Sequence, residues 1–320
     1  MKNILVIGAT GQIGSELILR LREVYGEKQV VAGYFAPPFP ENFFEQGPTV
    51  KIDATKIDQI ASAVKEYNID TIYNLAAILS VVGEQYPKLA WNVGMGALMN
   101  CLDVAKEYHC GVFTPSSIGS FGNGTPLDAT PQDTIQRPNT IYGITKVAGE
   151  LLSDYYMQRY GVDARSVRFP GLISNVTLPG GGTTDYAVEM YYAALKGERY
   201  VCPIKAGTYL DMMYMPDALD ASIKLMEADT VRLIHHNSFN ITAMSLDPET
   251  IRIAIQKHIP GFDVEYAVDP LKQCIAESWP NSMDDHCARD EWDWNPVFDI
   301  DSMTQDMIKK LSEKKMHGLL

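Results

Sequence analysis

Apolar positions in the first half of the chain fall into short continuous runs, separated by stretches whose apolar residues recur at helical spacing. Asn3 to Ile7 (NILVI) is such a run; glycines follow, and Leu17, Leu21 and Val24 then repeat as one helix face. Val30 to Ala32 predicts a second strand. The pattern continues with a helix over Ile57 to Tyr67, a strand at Thr71 to Leu75, a long helix over Ala90 to Glu107 and a strand at Val112 to Pro115. A helix over Gly143 to Tyr160 and a strand at Ala164 to Arg168 complete it. Continuous rather than alternating apolar strands, each followed by a helix, predict an α/β fold: a doubly wound parallel sheet covered on both faces. Residues 1–172 are expected to form this unit.

Beyond Phe169-Pro170-Gly171 the alternation weakens, and glycine-rich, aromatic and acidic stretches appear (PGGGTTDYA, SWPNSMDDH, EWDWNP). Residues 173–320 are therefore expected to build mainly a smaller C-terminal domain. Its one apolar strand candidate, Phe239 to Thr242, would return to the main sheet near residues 236–242. With 46% hydrophobic residues the 320-residue chain can bury one large core or two modest ones.

A formal charge of -13 and a pI near 4.9 argue against nucleic acid or an anionic membrane as partner, since both need a positive field. A small molecule is the expected ligand. Five cysteines (Cys101, Cys110, Cys202, Cys274, Cys287) without a Cys-x-x-Cys pair read as reduced thiols. The opening MKNILVIGAT leads directly into the first strand, and no apolar run approaches the roughly 18–20 residues of a membrane span. A cytoplasmic protein is expected.

The loop Gly8-Ala-Thr-Gly11-Gln-Ile-Gly14 follows a predicted strand and opens a predicted helix. In that context Gly8 permits the tight turn, Gly11 lets backbone approach a pyrophosphate, and Gly14 lets helix pack on strand, while the helix N-terminus offers free N–H groups. This is the phosphate loop of a Rossmann dinucleotide site. The acid that usually binds the adenosine ribose is missing, because Tyr34 stands there. No Arg or Lys occurs between Lys28 and Lys51 to meet a 2′-phosphate, so NAD is the expected cofactor. Asp53, ending the apolar stretch VKID, is placed either to accept from the adenine amino group or to cap a helix beside Thr55.

Tyr142 and Lys146 lie i,i+4 on a predicted helix and so share a face. Oxidation of an alcohol needs a base for the hydroxyl proton, and a tyrosine serves when an ammonium stabilises its phenolate. Ser117, at the C-terminal end of the strand VFTPSS, is where doubly wound folds carry their chemistry, and its hydroxyl is expected to hold the substrate oxygen. A second dyad, Tyr192 and Lys196, has no such serine and reads as helix packing.

GATGQIG, NLAA at Asn74 to Ala77, PSSIGSFG at Pro115 to Gly122 and YGITK at Tyr142 to Lys146 resemble the extended short-chain dehydrogenase/reductases. The stretches AAILSVVGEQYP, RFPGLIS, PGGGTTDYAVE, TYLDMMYMPDAL and SWPNSMDD are similar to the epimerase-like, short-chain L-threonine 3-dehydrogenase family, over nearly the whole chain. The resemblance implies oxidation of the threonine C3 hydroxyl to 2-amino-3-oxobutanoate with reduction of NAD. It implies Tyr142 as base, Lys146 as its partner and Ser117 as orienter. For the cofactor it implies Gly8, Thr10, Gly11, Gln12, Ile13, Gly14, Tyr34, Asp53, Ala54, Leu75, Ala76, Ala77, Asn92 and Pro170, together with Tyr142 and Lys146. For the amino acid it implies Ser80, Ser116, Ser117, Tyr142, Thr183, Thr184, Asp185 and Trp279.

Residue chemistry adds that Gly180 to Gly182 form a closing loop ahead of a helix beginning near Thr184, whose N-terminus suits an α-carboxylate, while Thr183 to Asp185 also suit a helix cap. Trp279 fits core packing as well as a pocket wall. Two departures stand out: Tyr34 in place of the ribose acid, and Gly94 and Gly96 where relatives tend to carry asparagine.

A nucleotide-sugar (UDP-hexose) 4-epimerase, which shares the loop, serine and dyad but retains its NAD, is the alternative enzyme. A sugar 4,6-dehydratase is disfavoured because Ile118-Gly119 replace its Asp-Glu pair, and a redox-sensing regulator would not need Ser117, Tyr142 and Lys146 together. The sequence offers no clustered His/Cys ligand set, His235 and His236 being adjacent, so no metal is expected. The helices around Ala90 to Glu107 and Gly143 to Tyr160 carry surplus apolar residues, and the resemblance pairs them across a homodimer.

Overall fold

The computed structural model describes residues 1–37, 39, 42–178 and 180–320. In chain order the first half runs β1 (Ile4–Ile7), α1 (Gln12–Tyr25), β2 (Val30–Tyr34), β3 (Thr49–Lys51), α2 (Ile57–Tyr67), β4 (Thr71–Asn74), α3 (Ser80–Gln85), α4 (Pro87–Tyr108), β5 (Gly111–Phe113), β6 (Ser116–Ser117), α5 (Ile141–Tyr160), β7 (Ala164–Arg165) and β8 (Val167–Phe169). All four residues of β1 are buried, and they divide with period two. Ile4 and Val6 enter one layer with Leu17, Ile18 and Leu21 of α1; Leu5 and Ile7 enter the other with Ile60 and Val64 of α2 and Leu98 of α4. That is why the run reads as continuously apolar.

Six parallel strands form the central sheet in the order β3-β2-β1-β4-β5-β7, with Ile4 aligned to Val30 on one side and to Thr71 on the other. The sheet is the Rossmann-like α/β architecture expected. Val24 departs from the predicted face: it is 48% exposed, because the buried face of α1 runs through Leu17, Ile18 and Leu21 and ends at Arg22. The strand expected over Ala164 to Arg168 breaks at Ser166, and its second half, β8, pairs with β6 instead of β5.

The second half runs β9 (Gly171–Ile173), α6 (Tyr186–Lys196), β10 (Tyr200–Cys202), β11 (Leu210–Tyr214), α7 (Met215–Glu227), β12 (Phe239–Asn240), β13 (Met244–Leu246), α8 (Pro248–Gln256), β14 (Val264–Tyr266), α9 (Pro270–Ala276), α10 (His286–Trp292) and α11 (Ile300–Met316). The strand expected over Phe239 to Thr242 is β12, only two residues long; it aligns Phe239 with Val167 and Asn240 with Arg168 in a three-stranded sheet β12-β8-β6, not in the central six-stranded sheet, because its partner β8 has itself left β5. α7 goes back to the first layer, where Met215, Ala218 and Ala221 pack in the same core as α1. A separate core joins α6, α8 and α11 to β11 and β13 through residues such as Tyr186, Tyr191, Ile251, Met303 and Met307. Among the described residues no helix is long and apolar enough to cross a membrane.

Candidate active site

β1 ends where the chain must turn at once under β4. Gly8 takes φ +83°, and a Cβ there would stand 3.1 Å from the Leu75 carbonyl carbon. Its amide and that of Ala9 donate to Gly33 O at 3.0 and 3.1 Å, fixing the loop to β2. Gly14 is constrained by space: a Cβ would lie 2.1 Å from Gly8 O, a backbone atom that cannot swing away. Gly11 is the N-cap of α1 and supplies no side-chain cap, and the first turn holds no acid. The positive end of the α1 dipole and its first amides therefore face the space above the loop, a cradle that fits a pyrophosphate.

That space is one end of a cavity of about 490 Å³. Its wall runs from Gly8, Thr10, Gly11, Gln12, Ile13 and Gly14, past Leu75 and Ala77, to Ser117, Tyr142, Lys146 and Pro170. Ser116 lines it beside Ser117, and Ser80, Thr183, Thr184, Asp185 and Trp279 complete the wall. The fold thus gathers most residues expected from the sequence. Tyr34, Asp53, Ala54, Ala76 and Asn92 are not in this wall. Tyr34 packs edge-on against Phe39, Phe43 and Phe44 at 5.3, 5.9 and 5.4 Å. Asp53 accepts from Thr55 N (3.0 Å) and Oγ1 (2.7 Å), which holds its carboxyl below the usual range; it closes a turn ahead of α2, whose N-cap is Lys56. Ala54 is buried, with its carbonyl accepting from Asn100. Asn92 is exposed on α4, and Ala76 lines a second, small cavity whose wall also includes Lys146.

Tyr142 and Lys146 occupy the first turns of α5, whose start is fixed by Thr140 Oγ1 accepting from Gly143 N at 3.1 Å. Lys146 Nζ donates to Pro115 O at 2.6 Å and lies 5.2 Å from the Tyr142 ring centroid. Ser117 Oγ accepts from Gly119 N at 3.1 Å. A Cβ on Gly119 would lie 3.1 Å from Tyr142 Cδ1 and Cε1 and 3.4 Å from Ser117 Oγ, so hydroxyl and ring face each other across that glycine. Tyr192 and Lys196 of the second dyad are absent from the cavity wall, and Tyr192 packs on the α6 core.

The seat of α5 gives a direct test. A methyl at residue 143 would sit 2.0 Å from Gly119 O and 2.5 Å from Pro138 Cβ. Gly143→Ala is expected to cost about 1–3 kcal/mol of stability by overpacking and, by moving Tyr142, to cut turnover at least about tenfold. Urea unfolding and steady-state rates measure the two; an unchanged turnover would show that the seat does not position the tyrosine.

Ser80 Oγ and Thr183 Oγ1 are 3.3 Å apart and both residues are buried, joining α3 to the segment that follows Gly180 to Gly182. The helix expected near Thr184 starts at Tyr186. Asp185 holds the N-cap position, but its carboxylate turns back to accept from Gly181 N (2.9 Å) and Gly182 N (2.8 Å) rather than capping α6. Burial pushes its carboxyl above the usual range, with those two amides opposing the shift. The amides that Asp185 occupies belong to the loop, ahead of the helix N-terminus expected to receive a substrate carboxylate. Pro179, which opens that loop in the sequence, lies outside the described residues. The Ser116 hydroxyl also departs from expectation: it donates to Glu150, which is held by Arg168, and so points behind the cavity. Trp279 is buried, and its Nε1 has no partner although the residue lines the cavity, which leaves a donor beside the ligand space. Leu79, Val82, Leu172, Thr177 and Leu178 also line it without having been singled out from the sequence. They sit inside or beside motifs that were recognised, but nothing local marks which neighbour of a motif faces inward.

Away from this cavity the fold assembles His235, Cys287 and Glu291, a mixed ligand set not evident in the sequence because His235 lies far along the chain from the Cys287 and Glu291 pair.

The chain matches known proteins over most of its length. The family model described as the NAD dependent epimerase/dehydratase family matches residues 4–241. An uncharacterized epimerase/dehydratase of Staphylococcus haemolyticus is 50% identical over 317 residues, covering 99% of this chain and 100% of the relative. The X-ray structure of L-threonine dehydrogenase from Clostridium difficile superposes with TM-score 0.96 at 54% identity, covering 98% of each chain. L-threonine 3-dehydrogenase from Trypanosoma brucei gives 0.94 at 41%, covering 100% of this chain and 99% of that one. UDP-glucose 4-epimerase from Thermotoga maritima gives 0.85 at 17% identity, covering 98% and 99%, a likeness of fold. With the glycine cradle, the Ser117–Tyr142–Lys146 grouping and these matches together, the chain belongs to the NAD dependent epimerase/dehydratase family, the extended short-chain dehydrogenase/reductases.

Proposed function

We propose that this enzyme oxidises L-threonine at its C3 hydroxyl to 2-amino-3-oxobutanoate. The observation that carries the reading is the pairing of Ser117 and Tyr142 across Gly119, in a cavity continuous with the glycine loop. The 41–54% identity to structures described as threonine dehydrogenases supports the choice of alcohol. Gly8, Gly11 and Gly14 with the first amides of α1 would hold the pyrophosphate of NAD, which when bound would supply the hydride acceptor for C3. Ser117 holds the substrate oxygen, and Tyr142 removes its proton as the C–O bond becomes a carbonyl. The Lys146 ammonium, anchored by Pro115 O, stabilises the negative charge the tyrosine oxygen carries before the transfer. Ser80, Thr183 and the Trp279 indole N–H are the polar groups available to the amino acid. NAD is favoured over NADP because the segment between Lys28 and Lys51 has no Arg or Lys.

The test follows reduced-nicotinamide absorbance with L-threonine, its stereoisomers and UDP-glucose, using NAD and NADP separately. Sustained NADH release with L-threonine and NAD is expected. Inversion of the UDP-hexose at C4 without release of reduced cofactor would replace this reading with the epimerase.

A homodimer belongs to the same proposal. α4 exposes Leu89, Trp91 and Met99, and α5, packed beside it, exposes Ile144, Leu151 and Tyr155. These two helices are the proposed contact with a second copy. Light scattering is expected to give twice the 35.6 kDa chain mass, falling to the chain mass in Trp91→Glu/Leu151→Glu; a wild-type monomer, as one solved relative is described, would contradict it.

A further inference from the structure

Three side chains with metal-ligating chemistry converge at the end of the sheet that β12 closes. Cys287 and Glu291 are i,i+4 on α10 and so share a face, and His235 reaches them from the segment leading into β12. One ligand atom from each lies within 4.8 Å of the others. Cys287 and Glu291 are buried, and the His235 side chain is only 23% exposed. Glu291 is held in place: its Oε2 accepts from the backbone amides of Ile234 (2.5 Å) and His235 (3.0 Å), which turns Oε1 toward His235 Nδ1. On the other side, the His235 ring meets Phe239 edge-on at 5.9 Å. A fourth group is adjacent, since His286 Nε2 lies 3.3 Å from Cys287 Sγ while its Nδ1 is 2.9 Å from Asp284.

The surrounding charge also suits a cation. Glu291, Asp284, Asp133 and Asp290 all act electrostatically on Cys287, and Asp133 Oδ2 stands 3.6 Å from His235 Nε2. A His–Glu hydrogen bond alone would need neither a buried thiol beside it nor this concentration of carboxylates. We propose that His235, Cys287 and Glu291 form a zinc site, its fourth position left to water or to His286 once that exposed ring rotates inward. A thiolate, imidazole and carboxylate set is the mixed S/N/O chemistry that Zn²⁺ accepts and that harder cations such as Mg²⁺ and Ca²⁺ do not favour. Ligand bonds of about 2.0–2.3 Å set tetrahedral donors roughly 3.5 Å from one another, so the hydrogen bond between His235 and Glu291 opens to admit the ion while donors further apart, none beyond 4.8 Å, draw in. Binding breaks the Cys287 S–H bond, forms a zinc–sulfur bond and releases the proton to solvent. The ion would fasten the segment before β12 to α10, and β12 carries Asn240, whose side chain accepts from Arg168 at 3.0 Å. The site is separate from the cavity that holds Tyr142, so its presence does not depend on the proposed reaction.

The test strips the full-length protein with a chelator, titrates Co²⁺ to read its near-ultraviolet thiolate-to-cobalt charge-transfer band, then displaces it with Zn²⁺ while following Tm. About one cobalt per chain is expected in the wild type and in Cys274→Ser, which removes the exposed thiol. The band is expected to vanish in Cys287→Ser and in His235→Asn, and zinc should raise the wild-type Tm but not theirs. His235→Asn keeps the thiol, and so decides the matter if Cys287→Ser does not fold. No band in the wild type, a band retained in Cys287→Ser, or loss of the band in Cys274→Ser would each overturn the proposal.

Discussion

Tyr142→Phe is expected to reduce turnover by about 10²–10⁴-fold, the usual contribution of a positioned acid–base group, with NAD binding retained. The substitution removes one oxygen and leaves the ring where it is, against Gly119 and 5.2 Å from Lys146 Nζ. Neither the glycine cradle nor the Lys146–Pro115 bond depends on the phenol oxygen. Calorimetric titration with NAD beside steady-state rates separates the two quantities. Loss of NAD binding would assign Tyr142 to the cofactor rather than to the proton, and retained turnover would remove it from the chemistry.

The largest effect on stability is expected from Arg168→Met. Arg168 and Glu150 form a buried pair, Nη2 to Oε2 at 2.8 Å with Nε to Oε1 at 3.1 Å. Gln136 donates to the same carboxylate, and Arg168 also donates to Gln132 O and Asn240 Oδ1. This network joins α5, β6, β8 and β12 directly behind Ser117, because the Ser116 hydroxyl is part of it. Removing the cation leaves Glu150 buried without its partner, at a cost of about 3–5 kcal/mol. Replacing both partners removes the orphaned charge, so Arg168→Met/Glu150→Leu is expected to unfold at higher urea than Arg168→Met alone. A double variant less stable than the single one would show that the pair itself does not set the cost.

The parts of the fold legible in the sequence are those where local pattern and burial coincide. α2 runs Ile57–Tyr67 as the periodicity indicates, because Ile60, Ala63 and Val64 form one buried stripe. The glycine loop is legible because the restrictions at Gly8 and Gly14 come from neighbouring backbone. α3 was not anticipated: six residues, SVVGEQ, are too short to show a helical stripe. The C-terminal sheets are made of strands of two to five residues paired across distant segments, such as Met212 with Gly171 and Leu246 with Leu210, so no local alternation announces them.

Side-chain direction was the least legible level. Asp185 and Ser116 are where the motifs place them, yet one hydroxyl turns to Glu150 and one carboxylate to the loop amides, choices set by tertiary partners. Tyr34 occupies the expected strand end, but three phenylalanines take up its ring. The His235–Cys287–Glu291 cluster had no sequence signal beyond the i,i+4 spacing of two members.

The proposed reaction has hydride leave C3 of threonine for the nicotinamide of an NAD whose pyrophosphate sits on the Gly8 to Gly14 loop, while Tyr142 takes the hydroxyl proton. The most direct measurement is turnover of L-threonine carrying deuterium at C3, with mass analysis of the reduced cofactor released. One deuterium in the released NADH, formed by the wild type and lost with Tyr142→Phe, is the expected result. Unlabelled NADH, or no reduced cofactor from L-threonine at all, would contradict it.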